Sequence, residues 1–503
     1  MKNSIKSAAI VRLAAFLLAG LCLGSASCAG IVDNKDSKSS APVLVSSVSI
    51  SADDFSLEAG NTRQLAVNVL PDNAAEKGVT WSSSAMDAAT VNTSGLVSAL
   101  AAGSAVITAS AIDGSGKSGT VTVTVHGTAG GPMTPQEIFA ALKGQVITTN
   151  GWADRANSGA GLSYASPAAL TLIDDETYPN AQNKLNAFTV AVNSDTAAFI
   201  IVSGDIDLSG GKISDSDHSY FDEFDSVTHE RLHGDITFNI GSNTTIIGIN
   251  NARFKFGGLR INNKNNIIIR NVTFWDAHGS TEYDTKSEGN SASKASIDAL
   301  VVQGSSSGVW VDHCLFTDGT CSDMTRNYNH DGSFDIPQGK NITVSWCEFT
   351  NHDKVMLVAG SDSLTNVEDR QITLHHNYFH GATQRMPRTR GTQMHIYNNY
   401  YNNIGVSGNS GYCMGPGVNA HFVVENNYFG AFYSGSTKVV DYYDNAAYPA
   451  LVYVSGNNKA IAKSPNDTTS GNMPWQPVYN YTLEANAGLP GSIPSGAGPK
   501  LTF

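Results

Sequence analysis

IIIRNVTF (267–274), VWVDHCLF (309–316), ITVSWCEF (342–349), ITLHHNYF (372–379), MHIYNNYY (394–401) and HFVVENNYF (421–429) repeat one phrase: apolar strand residues, then polar ones, then a closing aromatic. The residue two before that aromatic is Val272, Cys314, Cys347, Asn377, Asn399 and Asn427, at steps of 42, 33, 30, 22 and 28 residues. A minimum near 22 with a variable excess fits a solenoid with one coil per repeat and loops inserted between strands. Stacked coils lie ~4.8 Å apart, so equivalent side chains form ladders. Asn377, Asn399 and Asn427 are then placed to hydrogen-bond along an interior turn, and Cys314 and Cys347, in the same slot, read as small buried residues rather than disulfide partners. The pattern predicts an all-β fold, a parallel β-helix, over residues 134–503.

The bulk composition agrees. The chain has 503 residues, 48 of them glycine, and only 15% are charged, which suits a turn-rich β protein of more than one domain. A net charge of −13 excludes the overall basic balance of a nucleic-acid binder. If the partner is itself an acidic polymer, a local cationic site or a metal must offset the repulsion.

Ahead of the solenoid the chain changes character. Lys2, Lys6 and Arg12 precede an apolar run, Leu13 to Leu23, and the small residues Gly24 to Ser27, which reads as an export signal over residues 1–28. Cys28 gives two readings: the lipidated first residue of a bacterial surface lipoprotein, or ordinary signal cleavage and secretion. Residues 29–43 are small and polar and read as a flexible tether. Over 44–126, period-two runs such as Thr120 to Val125 alternate with turn signals, and about seven short strands predict a β-sandwich. SLEAGNTRQLAVNVLPDNA (56–74), VTWSSS (79–84), ATVNTSGLVSALAAGSAVITA (89–109) and VTVTV (121–125) resemble the bacterial Ig-like group 2 domain, with Trp81 in its core. A linker is expected over 127–133, and Thr134-Pro135-Gln136-Glu137 opens a short helix to Leu142 with a capping box. Beyond it helix periodicity is scarce. Four cysteines follow the signal, Cys314, Cys321, Cys347 and Cys413, and no pairing follows from sequence.

Between residues 195 and 430, TTIIGIN (244–250), FGGLRI (256–261), VWVDH (309–313), DGSFDI (331–336), HDKVMLVAGSD (352–362), LHHNYF (374–379) and QRMPRTR (384–390) stand in the order and approximate spacing of the pectate lyases, polysaccharide lyase family one. The resemblance implies a right-handed parallel β-helix and a monomeric, calcium-dependent enzyme. Its reaction would cut α-1,4-linked polygalacturonate by β-elimination to 4,5-unsaturated oligogalacturonides, in pectin degradation. It implies calcium ligands at Asp298, Asp331 and Asp335, a substrate-carboxylate lysine at Lys354, a proton-abstracting base at Arg385 and a substrate-binding arginine at Arg390; Arg388 is structural or a further substrate contact.

The chemistry explains why such groups are needed. The proton at C5 is barely acidic while the neighbouring C6 carboxylate is negative, so a site must neutralise that charge and place a base near C5. Calcium, a hard cation with oxygen ligands, suits the first task. An arginine base, with a reference pKa above about 12, implies activity that rises into the alkaline range. Asp312 and His313 of VWVDH lack a matching nucleophile and read as structural, and His352, His375, His376 and His380 read as buried or ladder residues. Three other readings are a pectin lyase acting on methylated pectin without calcium, a polygalacturonase and a non-catalytic carbohydrate-binding surface protein. The three aspartates disfavour the first; the NTD and RIK runs expected of the second are not found. The full set of aspartates, lysine and arginines disfavours the third. The insertion Glu282 to Ser296 is expected to shape the cleft.

Overall fold

The computed structural model describes residues 42–86, 88–100, 103–126, 133–216, 236–278, 297–319, 330–405, 411–433, 437–469 and 472–503. Cys28, Cys321 and the insertion 282–296 lie outside them. The chain divides into two units, Met1–Gly131 and Pro132–Phe503.

Among the described residues the first unit has nine strands between Ser47 and His126, two more than expected. Phe55–Glu58, Ser118–His126, Gly103–Ala111 and Val79–Ser83 form one sheet, and Thr62–Gln64, Leu96–Ala99 and Ala89–Val91 another. The alternating residues Val121, Val123 and Val125 face Ala105, Ile107 and Val97 in the core, with Trp81 packed against them. Val43, assigned to the tether, accepts the N–H of Ala75, and Met133, assigned to the linker, donates its N–H to the carbonyl of Phe503.

The second unit is a parallel β-helix, with three strand positions on each full coil. The first sheet runs through Asn265–Arg270, Ser307–Asp312, Gly339–Ser345, Arg370–His375, Thr392–Tyr397, Ala420–Glu425 and Leu451–Ser455, all parallel. The second includes Thr273–Trp275, Leu315–Thr317, Glu348–Lys354, Tyr378–Gln384 and Tyr400–Asn402. The third includes Gly258–Asn262, Leu300–Gln303, Phe334–Asp335, Leu357–Val358, Arg388–Thr389, Tyr412–Pro416 and Lys438–Val440.

The repeated phrase is the corner between the first two sheets. Its polar pair begins with a residue in the left-handed region: His313, Trp346, His376, Asn398, Asn426 and Gly456 all have φ between 49 and 65°. Asparagine and glycine tolerate this conformation best. The next residue points inward and forms the ladder. The N–H of Asn377 donates to Asn399 Oδ1, that of Asn399 to Asn427 Oδ1 and that of Asn427 to Asn457 Oδ1, all at 2.8–2.9 Å. Each amide nitrogen in turn donates to a carbonyl of the preceding coil, Val344, Leu374, Ile396 or Val424. The two cysteines continue the pattern as free thiols. The N–H of Cys347 donates to Asn377 Oδ1 and that of Cys314 to Cys347 Sγ, while the thiols donate to Val311 and Ile269 carbonyls. Cys413 is likewise free and buried.

The closing aromatics stack beside this ladder. Phe254, Phe274, Phe316, Phe349, Phe379, Tyr401 and Phe429 form a column with successive ring centroids 4.6–5.5 Å apart. The helix Pro135–Leu142 forms with its Thr134–Glu137 capping box, and Ile138 packs on Phe199 and Ile201. A second helix, Ala181–Val192, departs from the scarcity of helix expected beyond Leu142. Asn180 caps it, and Leu185, Phe188 and Val192, spaced three and four apart, bury one face in the solenoid core.

Candidate active site

The third sheet brings the expected residues into register. Val301 pairs with Asp335, Ile336 with Val358 and Leu357 with Arg388. Side chains alternate along a strand, so Phe334, Ile336, Val358 and Thr389 fill the core while Asp335 and Arg388 face the other way. Asp298 immediately precedes this sheet on the coil before Asp335. Gly332 sits between the two aspartates: a Cβ there would meet Asp335 Oδ1 at 2.4 Å and Asp298 Oδ1 at 2.6 Å. Only glycine leaves room for both carboxylates to converge.

Each acid is held by backbone. Asp298 Oδ1 accepts the Gly332 N–H at 2.6 Å, and Asp335 Oδ1 accepts the Leu357 N–H at 2.8 Å. Burial, followed by the charges of Asp335 and Asp331, raises the Asp298 carboxyl well above the usual range. Burial likewise pushes Asp335 up to about 7; the Asp331 charge adds to this, while Leu357, Arg385 and Lys354 oppose it. Asp331 is more open and carries the Lys354 ammonium on its Oδ1. Lys354 ends the strand Glu348–Lys354 and is almost fully buried, so its single charge is aimed into the cluster.

The arginines are divided. Arg385 lies near enough to lower the Asp335 pKa, and its backbone sits at φ +61°, with its carbonyl held by the Met356 N–H at 2.7 Å. Its Nε is buried without a hydrogen-bond partner in the protein, as is that of Arg388. A non-glycine residue at positive φ is strained, a state that persists where the surroundings over-determine it. Arg385 precedes the strand, so strand alternation does not govern it, and the Met386–Pro387 peptide is cis. Arg388 stacks its guanidinium 3.8 Å over the Tyr443 ring. Arg390 instead binds the Asp362 carboxylate and the Ala359 carbonyl. Asp298, Asp331, Asp335, Lys354 and Arg385 therefore form one group, Arg388 borders it, and Arg390 is engaged by an acid on the neighbouring coil.

The histidines separate in the same way. Asp312 accepts from Arg270, His313 and Ser345. Burial raises its pKa, but Arg270 and the hydrogen bonds outweigh it and bring the carboxyl down to about 2. His352 Nε2 lies 3.1 and 3.0 Å from the carbonyls of Asp331 and Lys354, beneath the acid cluster, and its Nδ1 lies 2.6 Å from Asp318 Oδ1. Gly332 and His352 belong to the site beyond the residues that the sequence motifs indicate. The signal for Gly332 was its place inside DGSFD.

The acid cluster fits calcium. Its donors are carboxylate oxygens, two of them buried and mutually repelling, and a dication among them relieves that repulsion.

Residues 133–486 match the pectate lyase family, and residues 44–126 match the bacterial Ig-like domain, group 2. A pectate lyase of Bacillus subtilis is 31% identical over 279 residues, 52% of this chain and 65% of that protein. A pectate trisaccharide-lyase of Thermotoga maritima is 41% identical over 175 residues, 33% of this chain and 43% of that protein. Pectate lyase D of Dickeya chrysanthemi is 33% identical over 304 residues, 57% of this chain and 71% of that protein. The chain thus spans less than two thirds of the first two relatives' length. Among solved structures, a mutant of the Bacillus subtilis pectate lyase superposes with a TM-score of 0.55 at 25% identity, covering 72% of this chain and all of that one. The repeating corner, the acid cluster and these matches together place the chain in the pectate lyase family, with a bacterial Ig-like domain in front of the lyase-type β-helix.

Proposed function

We propose that the protein is a calcium-dependent pectate lyase cleaving polygalacturonate by β-elimination. The observation that carries this reading is the convergence of Asp298 and Asp335 on Gly332, with Lys354 and Arg385 beside them. Asp298, Asp331 and Asp335 would hold calcium, which would offset the charge of the substrate C6 carboxylate and of the electrons shifted toward it. Lys354 and Arg388 bind substrate carboxylates. A neutral guanidine nitrogen of Arg385 takes the C5 proton, the C4–O bond breaks with its electron pair leaving on oxygen, and a C4=C5 double bond forms. Water protonates the departing oxygen. Arg390 joins the substrate once a sugar carboxylate replaces Asp362.

We also propose that the chain is exported by residues 1–28 and either released or anchored through a lipid on Cys28. The Ig-like unit would then act as a spacer and the enzyme as a monomer. The export segment and its short polar tether support this reading.

The deciding measurement is ultraviolet absorbance of the unsaturated product on polygalacturonate at alkaline pH, with calcium and with a chelator. A rise that the chelator abolishes is expected. A chelator-insensitive rise confined to methylated pectin would identify a pectin lyase, and silence on both would leave a binding protein.

A further inference from the structure

A second cluster of metal-type ligands lies behind the calcium-type carboxylates. Asp276, His278 and His330 are all buried, and one donor atom from each lies within 4.8 Å of the others. His330 Nε2 is 2.8 Å and His278 Nδ1 3.6 Å from the same atom, Asp276 Oδ1. The two imidazoles meet edge to face, with centroids 5.3 Å apart and planes at 83°. Asp276 has φ +52° and donates its N–H to the Thr317 carbonyl at 2.9 Å, which turns the chain inward after the strand Thr273–Trp275. On the far side of His330, Nδ1 faces Asp318 Oδ2 at 3.8 Å.

We propose that Asp276, His278 and His330 form a binding site for a transition-metal dication of the zinc class, with water as the fourth ligand. Two imidazole nitrogens and one carboxylate oxygen converging on one point are the donor set of a borderline-soft ion; calcium takes oxygen ligands instead. Asp318, 3.8 Å from His330 Nδ1, lies on the side from which an outer carboxylate orients a ligating histidine, a contact that would close to hydrogen-bond distance when the ion binds. Together Asp276 and Asp318 supply two negative charges for the dication. The site is distinct from Asp298, Asp331 and Asp335, yet tied to them through the chain. His330 adjoins Asp331, and Asp318 reaches the Asp331 and Lys354 carbonyls through His352. The ion therefore braces the corner that presents the calcium-type ligands.

The test uses the full chain, stripped of metal by a chelator and titrated with Co2+ and then Zn2+. One equivalent of Co2+ with visible bands of a four-coordinate site is expected, displaced by Zn2+ and not by excess Ca2+. A rise in melting temperature should accompany Zn2+. His278→Gln should abolish the band and the zinc-linked rise. A wild-type protein that retains no Zn2+ through gel filtration and shows no Co2+ band would overturn the proposal, whether or not the variant folds. So would a band that persists in both His278→Gln and His330→Gln, because the ion would then sit elsewhere.

Discussion

Two stacks of like residues run through the β-helix, and they behave oppositely. At the interior corner, Asn377, Asn399, Asn427 and Asn457 repeat on successive coils, and each amide both accepts from and donates to its neighbours. In and around the third sheet, Asp298, Asp331 and Asp335 also approach across neighbouring coils, and burial, with charge repulsion added, holds two of them above their normal pKa. A carboxamide is self-complementary, so stacking it satisfies it. A carboxylate is not, so stacking it requires a cation. The same solenoid geometry stabilises the fold in one place and prepares an ion site in the other.

This contrast can be broken by substitution. The largest effect is expected from Arg385→Ala beside the acid stack: kcat on polygalacturonate should fall ~10²–10⁴-fold with an unchanged melting temperature, as for loss of a general base. A parallel loss of stability would show that Arg385 supports the fold instead. Asn399→Ala should do the reverse. It strands the Asn377 N–H and several further partners, so urea denaturation should show a loss of about 3 kcal/mol, with kcat retained in the folded fraction. A loss below ~1 kcal/mol would end the claim that the ladder is a stabilising network. Asp335→Asn sharpens the acid side. The raised folded pKa of Asp335 means that the native state binds a proton the unfolded chain has released between pH 4 and 7. The parent should therefore lose stability as pH rises through that window when calcium is removed. In chelator near pH 8, the variant should be the more stable by about 2 kcal/mol, and the gap should close toward acid. An Asn variant with no advantage at alkaline pH would contradict the repulsion. Cys347→Ala should cost the least, about 1 kcal/mol by thermal denaturation, because a thiol is a weak stand-in for the amide.

What repeats is the most legible in the sequence. The corner was legible because a left-handed residue, an inward polar residue and an aromatic recur in fixed order. Asn457 escaped because its coil closes on Lys459 where earlier coils have an aromatic ring. Asn398 and Asn426 advertise a left-handed backbone, whereas His313 and Trp346 adopt it under the constraint of stacked neighbours. The helix Ala181–Val192 was hidden because its core face needs only three residues, Leu185, Phe188 and Val192, among polar and small ones. The acid cluster was legible through DGSFD. Its partition from Arg390 was not, because the Asp362 contact depends on which loop lies across the neighbouring coil. Asp276 and His278 stand two apart, but His330 lies 54 residues beyond Asp276, and only coil stacking unites it with them.

Phe188 on that unforeseen helix lies 5.1 Å from Phe254, the first ring of the aromatic column. A column of stacked rings has no intrinsic length; each free end offers the next ring a seat. By supplying that ring from a helix, the chain ends the column in that direction. Without the helix the core at this end would present a bare apolar face to another molecule. A fold built on unlimited repetition is thus closed at this end of its core by a helix that breaks the period, with Leu185 and Val192 beside Phe188.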